Sequence, residues 1–402
     1  MSARRWTLVL WGATVLLVVA LCLKFFVADV YRVETGSMRP TIFGGRDRPD
    51  GPEDAEHVLV RYARGLTPAR FDLVVLRAED GSAPLVKRVC GLPGEDFAIR
   101  DGDLFVNGRR LAPDAPRPEP ITVFDDRWLD VERFFEYRHD GSVRREAAEW
   151  VIEGRAAGGS LLFFHPGLRD DYLDRHHQRV AGLREVNDAV LELEVRLDEL
   201  AGQRIVLELV EEGDAFTLEL VAEAPTGSLR LVRKNPRPLQ RMRDSEGALP
   251  PEQPLVVLPV SLVAGRWIDL AFSNIDNRLA LSSRALQLTL THDYPENQPW
   301  PTLLAPGQKT LGPRVAFGAE GAPVRLRGVR IRRDLYYTDV GTYAVLDPVH
   351  LGPDEYFLLG DNSAASTDSR HFGPKDASQF LGRPLAVVWP AWRRLEGVGP
   401  SR

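Results

Sequence analysis

Cysteine is nearly missing from this sequence. Two occur in 402 residues, Cys22 in an apolar N-terminal run and Cys90 far downstream in a strand-like segment. They cannot build the disulfide framework of a small secreted domain, and they are silent about redox compartment. An excess of positive charge is missing too. Lys and Arg number 51 against 57 Asp and Glu, a net charge of −6. No bulk positive field advertises nucleic acid as a partner. None of the eight histidines sits in a recognisable catalytic-triad pattern. With 27% charged and 44% hydrophobic residues, the chain is not disordered, collagen-like or a multi-span membrane protein. At roughly 150 residues per domain, its length predicts two to three domains.

What is present begins with one apolar run. Residues 6–23 read WTLVLWGATVLLVVALCL, 18 residues without a charge. About 20 apolar residues span a bilayer. Arg4 and Arg5 precede the run, and basic residues stay cytoplasmic. No small-x-small cleavage site follows Leu23. The expectation is a retained transmembrane helix over 6–27, with residues 1–5 cytoplasmic and the rest of the chain outside.

Beyond the run the chain changes character twice. Segments 58–62, 71–77, 85–90 and 103–106 read as strands, and Asn107-Gly108 is a two-residue hairpin signal. Four prolines within 113–120 mark a boundary. From about 120 to 335 short strands recur with no helical period of useful length. In 190–197, Leu191, Leu193, Val195 and Leu197 share one face and Glu192, Glu194 and Arg196 the other. Further strands are expected at 205–210, 216–221, 229–233, 267–272, 279–282 and 286–290, a pattern that suggests two packed sheets. Across 324–331 the apolar parity flips at Gly328, so a β-bulge is expected there. After 336 the first character returns, with strands near 343–346, 356–359 and 384–389. The reading is mainly β: a catalytic domain in two pieces, 28–119 and 336–402, interrupted by an inserted β-sandwich domain over 120–335.

The chemistry is concentrated in three segments of the two outer pieces. They are Glu34-Thr35-Gly36-Ser37-Met38-Arg39-Pro40-Thr41, Leu85-Val86-Lys87-Arg88-Val89-Cys90-Gly91-Leu92-Pro93-Gly94-Glu95, and Gly360-Asp361-Asn362-Ser363-Ala364-Ala365-Ser366-Thr367-Asp368-Ser369-Arg370. A serine hydroxyl is a poor nucleophile unless a base takes its proton. A lysine can do so when neutral, yet at a pKa of about 10.4 roughly one in a few thousand is neutral at pH 7. Burial that lowers the value to about 8 raises the fraction to roughly one in ten. If 85–89 is a strand, Lys87 shares a face with Leu85 and Val89, which would desolvate it. Arg88 then points to the opposite face, either solvated or paired. Singly, each segment is an ordinary turn or strand edge; together they are hard to obtain by chance.

In that conjunction the sequence resembles bacterial type I signal peptidase, a membrane-anchored Ser/Lys endopeptidase family. Ser-Met-x-Pro-Thr, Lys-Arg-Val-x-Gly-Leu-Pro-Gly and Gly-Asp-Asn…Ser-x-Asp-Ser-Arg stand in the family's order, after an anchor. The resemblance covers roughly 30–115 and 336–395. It implies an antiparallel β catalytic domain with a shallow apolar groove. It makes Ser37 the nucleophile and Lys87 the general base. Thr35 becomes an oxyanion donor beside the Ser37 amide, and Ser366 orients the lysine. Asp361, Asp368 and Arg370 hold the site together, and no metal or organic cofactor is implied. The implied substrates are exported preproteins bearing signal peptides, with small residues at the first and third positions before the cut. The implied location is the bacterial inner (plasma) membrane. Departures from the family are Glu95 in place of the usual Asp, Ser363-Ala364 and His371-Phe372 in place of common pairs, and the long insert.

The insert looks weakly like a concanavalin- or laminin-G-like sandwich. A glycan or protein ligand and a mere spacer both stay open for it. Trp389, Trp392, Arg393 and Arg394 suit contact with membrane lipid. Two other readings compete. One is a self-cleaving Ser/Lys regulator, against which the anchor counts. The other is a catalytically inactive, membrane-tethered carbohydrate- or protein-binding module acting through the insert.

Overall fold

Strands dominate the computed structural model, and among the described residues the helical stretches are short. The residues it describes are 11–15, 27–45, 55–63, 65–78, 81, 83–138, 142–154, 160–211, 214–223, 226–234, 252–294 and 314–395. Among them no helix is long and apolar enough to cross a membrane. Most of the expected anchor, 6–10 and 16–26, lies outside the described residues, as does Cys22; residues 11–15 are helical. The chain divides into two compact units, Met1–Pro118 with Leu335–Arg402, and Glu119–Asp334.

In the first unit an antiparallel sheet runs in the order Ala28–Arg32, His57–Tyr62, Phe380–Trp389, Leu73–Leu76, Leu85–Gly91, Glu355–Leu359, Lys375–Asp376. Arg393–Arg394 adds to Phe380–Trp389. Leu73–Leu76 (LVVL) and nearly all of Leu85–Gly91 are buried, because these middle strands are covered on both faces. A continuous apolar run rather than alternation is the sequence form of such a strand. One face packs Met38, Ile42, Val58, Val60 and Val75, and another cluster holds Val74, Leu76, Val89 and Leu358. A smaller sheet pairs Val349–His350, Asp96–Arg100, Asp103–Val106 and Arg109–Arg110. Its last turn is Asn107-Gly108 at φ 52° and 77°, the left-handed pair that a tight hairpin needs.

One expected strand of this unit is not formed. Residues 343–346 are irregular. The Tyr343 and Thr342 amides both donate to the Arg370 carbonyl, at 3.0 and 2.7 Å, and Ala344 sits at φ 61°. The Thr342 and Tyr343 donors are thus spent on a loop contact, and Leu346 is left in solvent.

The second unit is built on alternation. In Ala189–Arg196, Leu191, Leu193 and Val195 enter the core while Glu192 and Glu194 face away. Across the ladder Glu192 meets Arg330 and Arg332, and Glu194 meets Arg327. The 20-residue strand Arg314–Arg333 joins two sheets. Its first part pairs with Ala201–Glu211 and Ser160–Phe164, and its second part with Ala189–Arg196, Glu149–Gly154 and Ile121–Asp125. Inward residues of both sheets, such as Leu207, Phe216 and Leu231 from one and Leu193, Phe272 and Leu326 from the other, form a single apolar cluster. That is the layering of a β-sandwich. Gly328, at φ 65°, forms the bulge. The register slips between Glu192 and Glu194, so Val324, Leu326, Val329 and Ile331 all reach the core. Each such buried aliphatic side chain contributes about 1.5–3 kcal/mol.

Candidate active site

The first unit gathers the three polar segments at one place. After Ala28–Arg32 the chain turns through a single 3₁₀ turn, Gly36–Met38. Met38 and Ile42 are fully buried and anchor the turn in the apolar cluster. The Arg39 guanidinium reaches across to donate to the Gly44 carbonyl at 2.7 Å. Apolar anchors on one side and a buried cation on the other fix the loop, and Ser37 sits at 5% exposure.

Lys87, on Leu85–Gly91, comes up under this turn. Its Nζ is 2.8 Å from Ser37 Oγ and 3.1 Å from Ser366 Oγ. The side chain is 2% exposed. Burial is the main influence on its ammonium and lowers the pKa to about 8. The nearby Arg370 acts in the same direction, and Asp368 and Asp361 act against it. A lysine so placed is neutral in roughly one molecule in ten at pH 7, enough to serve as a base. Thr35 Oγ1 lies 3.2 Å from Ser37 Oγ on the exposed side of the turn.

Two buried ion pairs frame these groups. Arg370 meets Asp368 with Nε and Nη2, both at 2.8 Å. It donates further to the Thr338 carbonyl and hydroxyl and to Ser363 Oγ. Burial raises the Asp368 pKa, but the Arg370 guanidinium outweighs it and holds the carboxyl below its usual range. Arg88 meets Asp361 through Nε at 2.7 Å and Nη2 at 2.5 Å, and Thr41 Oγ1 donates to the same carboxylate at 2.5 Å. Of the two alternatives for Arg88, pairing is the one formed, because the strand has no solvated face. Gly360 allows the close approach of the segments: a Cβ there would lie 2.2 Å from Ser366 Oγ and 2.5 Å from the Ser37 carbonyl. Asn362 stitches the third segment to the first. Its amide donates to the Ser37 carbonyl and its side chain to the Gly36 carbonyl, both at 3.0 Å.

Several of these residues escape a reading of the sequence alone. Thr41, Arg88 and Asn362 lie inside the three segments, and adjacency to Ser37, Lys87 and Asp361 is the only signal they carry. Thr338 carries none. Glu95 caps the Leu92 amide at 2.8 Å and pairs with Arg70 at 2.5 Å, so it supports the turn after Leu85–Gly91. Trp389 and Trp392 are exposed, at 61% and 71%. Arg393 donates through Nη2 to the Thr41 carbonyl at 2.8 Å and to Glu56 at 2.6 Å, while its side chain stays 39% exposed.

The first unit thus sets a serine hydroxyl against a buried lysine inside a β domain, framed by two buried ion pairs. The family described as "Signal peptidase, peptidase S26" matches residues 5–140 and 320–389, just over half of the chain. The chain belongs to that family. It is 33% identical over 104 residues to signal peptidase I T of Bacillus subtilis, covering 25% of this chain and 50% of the relative. It is 35% identical over 113 residues to signal peptidase I V of the same organism, covering 28% and 60%. A signal peptidase I of Streptococcus pneumoniae is 34% identical over 101 residues, covering 25% and 43%. The chain thus spans about half the length of the curated relatives it matches. Among solved structures, the CBM2 module of an evolved Dit of Lactobacillus casei phage J-1 aligns with 55% of this chain and 100% of its own. Its TM-score is 0.36 and its identity 8%, a likeness too slight to bear on the fold.

Proposed function

We propose that this chain is a membrane-bound serine endopeptidase that removes N-terminal signal peptides from exported preproteins, cutting after a small residue. The observation that carries the proposal is the 2.8 Å approach of a buried Lys87 Nζ to Ser37 Oγ. In this reading neutral Lys87 takes the Ser37 proton as Oγ attacks the scissile carbonyl carbon. The oxyanion is met by the Ser37 amide and the Thr35 hydroxyl. Collapse of the tetrahedral intermediate breaks the C–N bond, and Lys87 gives its proton to the leaving amine. The acyl group remains as an ester on Ser37. Lys87 then takes a proton from water as it attacks the ester, and returns that proton to Ser37 Oγ as the C–O bond breaks and the signal peptide leaves with its new carboxylate. Ser366 Oγ holds Nζ toward Ser37 throughout, while Asp361, Asp368 and Arg370 keep the segments in register.

Membership of the family supports membrane association, since its type I members are usually membrane-associated. The proposed topology is single-pass in the bacterial plasma membrane, with 1–5 cytoplasmic, 6–27 spanning and the catalytic domain outside. An enzyme tethered in the membrane that delivers its substrate gains effective concentration in place of binding contacts. Residues 28–119 and 336–402 would form the catalytic domain and 120–335 the insert. The test is cleavage of a preprotein with an Ala-x-Ala site by the full chain in detergent. Wild type should cut, and Ser37→Ala and Lys87→Ala should not. Folded protein inert in all three forms would favour a tethered binding protein instead.

A further inference from the structure

The loop that carries Ser37 is closed at its base by a residue outside the three segments. The Glu56 amide donates to the Phe43 carbonyl at 2.8 Å, and the Glu56 carbonyl accepts from the Val33 amide at 2.9 Å. The Glu56 carboxylate accepts from the Phe43 amide at 2.9 Å. One residue therefore holds the loop where the chain enters it and where it leaves. Glu56 is 3% exposed, and a carboxylate so buried needs a cation. Arg393 supplies it. One nitrogen, Nη2, donates to Glu56 Oε2 at 2.6 Å and to the Thr41 carbonyl at 2.8 Å, three residues from the Ser37–Met38 bond.

The strand that brings Arg393 belongs to the sheet that carries Lys87. Arg393 pairs with Val387 on Phe380–Trp389. That strand pairs with Leu73–Leu76, and Val74 pairs with Lys87. A continuous hydrogen-bonded ladder thus runs from the Arg393 end to the lysine. We propose that Glu56 and Arg393 are positioning residues, which hold loop 33–44 so that Ser37 Oγ stays within reach of Lys87 Nζ. The proposal rests on the reading of Ser37 as nucleophile. Neither residue touches substrate; both act through the loop. A displacement of about 1 Å at a reacting group can cost on the order of 10²-fold in rate.

A merely structural ion pair would also weaken the protein when broken, so the test separates charge balance from positioning. Arg393→Met leaves Glu56 buried without its cation. Adding Glu56→Gln removes that charge and keeps an oxygen for the Phe43 amide, but the Thr41 carbonyl still lacks its donor. Full-length protein in detergent is assayed on a peptide with an Ala-x-Ala site, with thermal unfolding and amide hydrogen exchange of residues 36–43 measured in parallel. Arg393→Met should lose both stability and kcat. The double variant should regain stability while kcat stays down roughly 10- to 100-fold, KM stays within about twofold and exchange in 36–43 is faster. Recovery of kcat together with stability, or unchanged exchange in the double variant, would overturn the proposal. Ser37→Ala is run alongside. A wild type as inert as Ser37→Ala would count against the peptidase reading, and the exchange rates would still decide whether the clamp exists.

Discussion

Proton supply to Lys87 sets the pH dependence of the proposed reaction and opposes folding at the same time. With a folded pKa of about 8, the neutral fraction is about 1% at pH 6, about 9% at pH 7, half at pH 8 and about 90% at pH 9. The rate constant kcat/KM reports the free enzyme. It should climb roughly tenfold from pH 6 to 7, about fivefold from 7 to 8 and less than twofold from 8 to 9. A lysine of ordinary pKa would still be rising about tenfold per unit at pH 9. Burial is the leading cause of the lowered value, so it also costs stability. Between pH 8 and about 10.5 the unfolded chain carries a proton on this lysine that the folded chain has lost. Stability therefore rises with pH across that window. Below about pH 8 the penalty is present in full, on the order of 3 kcal/mol. Lys87→Met, similar in volume and uncharged, should abolish cleavage yet stabilise the protein at pH 7 by up to about 3 kcal/mol. The gain should fade toward pH 10.5. The checks are kcat/KM on a peptide from pH 5.5 to 9.5 and urea unfolding of both proteins at pH 7 and pH 10. A rate still climbing tenfold per unit at pH 9, with Lys87→Met less stable than wild type at pH 7, would refute the reasoning.

Three further outcomes are expected. Thr35→Ala should lower kcat roughly 10²-fold with little change in KM, and Thr35→Ser should keep most activity, because only the hydroxyl is asked to meet the oxyanion. Asp361→Asn leaves Arg88 buried without its partner and should cost about 3–5 kcal/mol in urea unfolding; a loss under about 1 kcal/mol would contradict the assigned pairing. A protein lacking residues 1–27 should bind anionic lipid vesicles several-fold more weakly when Trp389 and Trp392 are both replaced by Ala, and equal binding would remove these rings from any role at the lipid surface.

Local rules carried part of this structure and geometry at a distance the rest. The Gly328 bulge was legible because one face of the strand had to be apolar, and a parity flip admits few other solutions. The Asn107-Gly108 turn was legible because few residue pairs tolerate two left-handed conformations. The same alternation rule misled at 343–346, a loop that begins where the Thr342 and Tyr343 amides are taken by the Arg370 carbonyl. The meeting of Ser37, Lys87 and Ser366 could be anticipated only by treating three separated segments as one pattern. Asp361, Asp368 and Arg370 were legible as supports through the family resemblance, but two of the pairings that make the meeting rigid were not. Arg88 with Asp361 and Glu56 with Arg393 join residues 273 and 337 positions apart, and nothing in the local composition of either marks the other. Arg393 in particular reads from sequence as a surface cation beside two tryptophans. In the fold one nitrogen of its guanidinium bonds Glu56 and the Thr41 carbonyl, on the loop that carries Ser37.

The central claim is that Ser37 becomes acylated by the substrate. Its most direct measurement is mass spectrometry of the full-length protein quenched in acid during turnover of a peptide with an Ala-x-Ala site. The account predicts an ester-linked acyl fragment, ending at the small residue, on the proteolytic peptide that contains Ser37, and no such adduct on Ser37→Ala. An adduct on another residue, or cleavage that survives in Ser37→Ala, would contradict it.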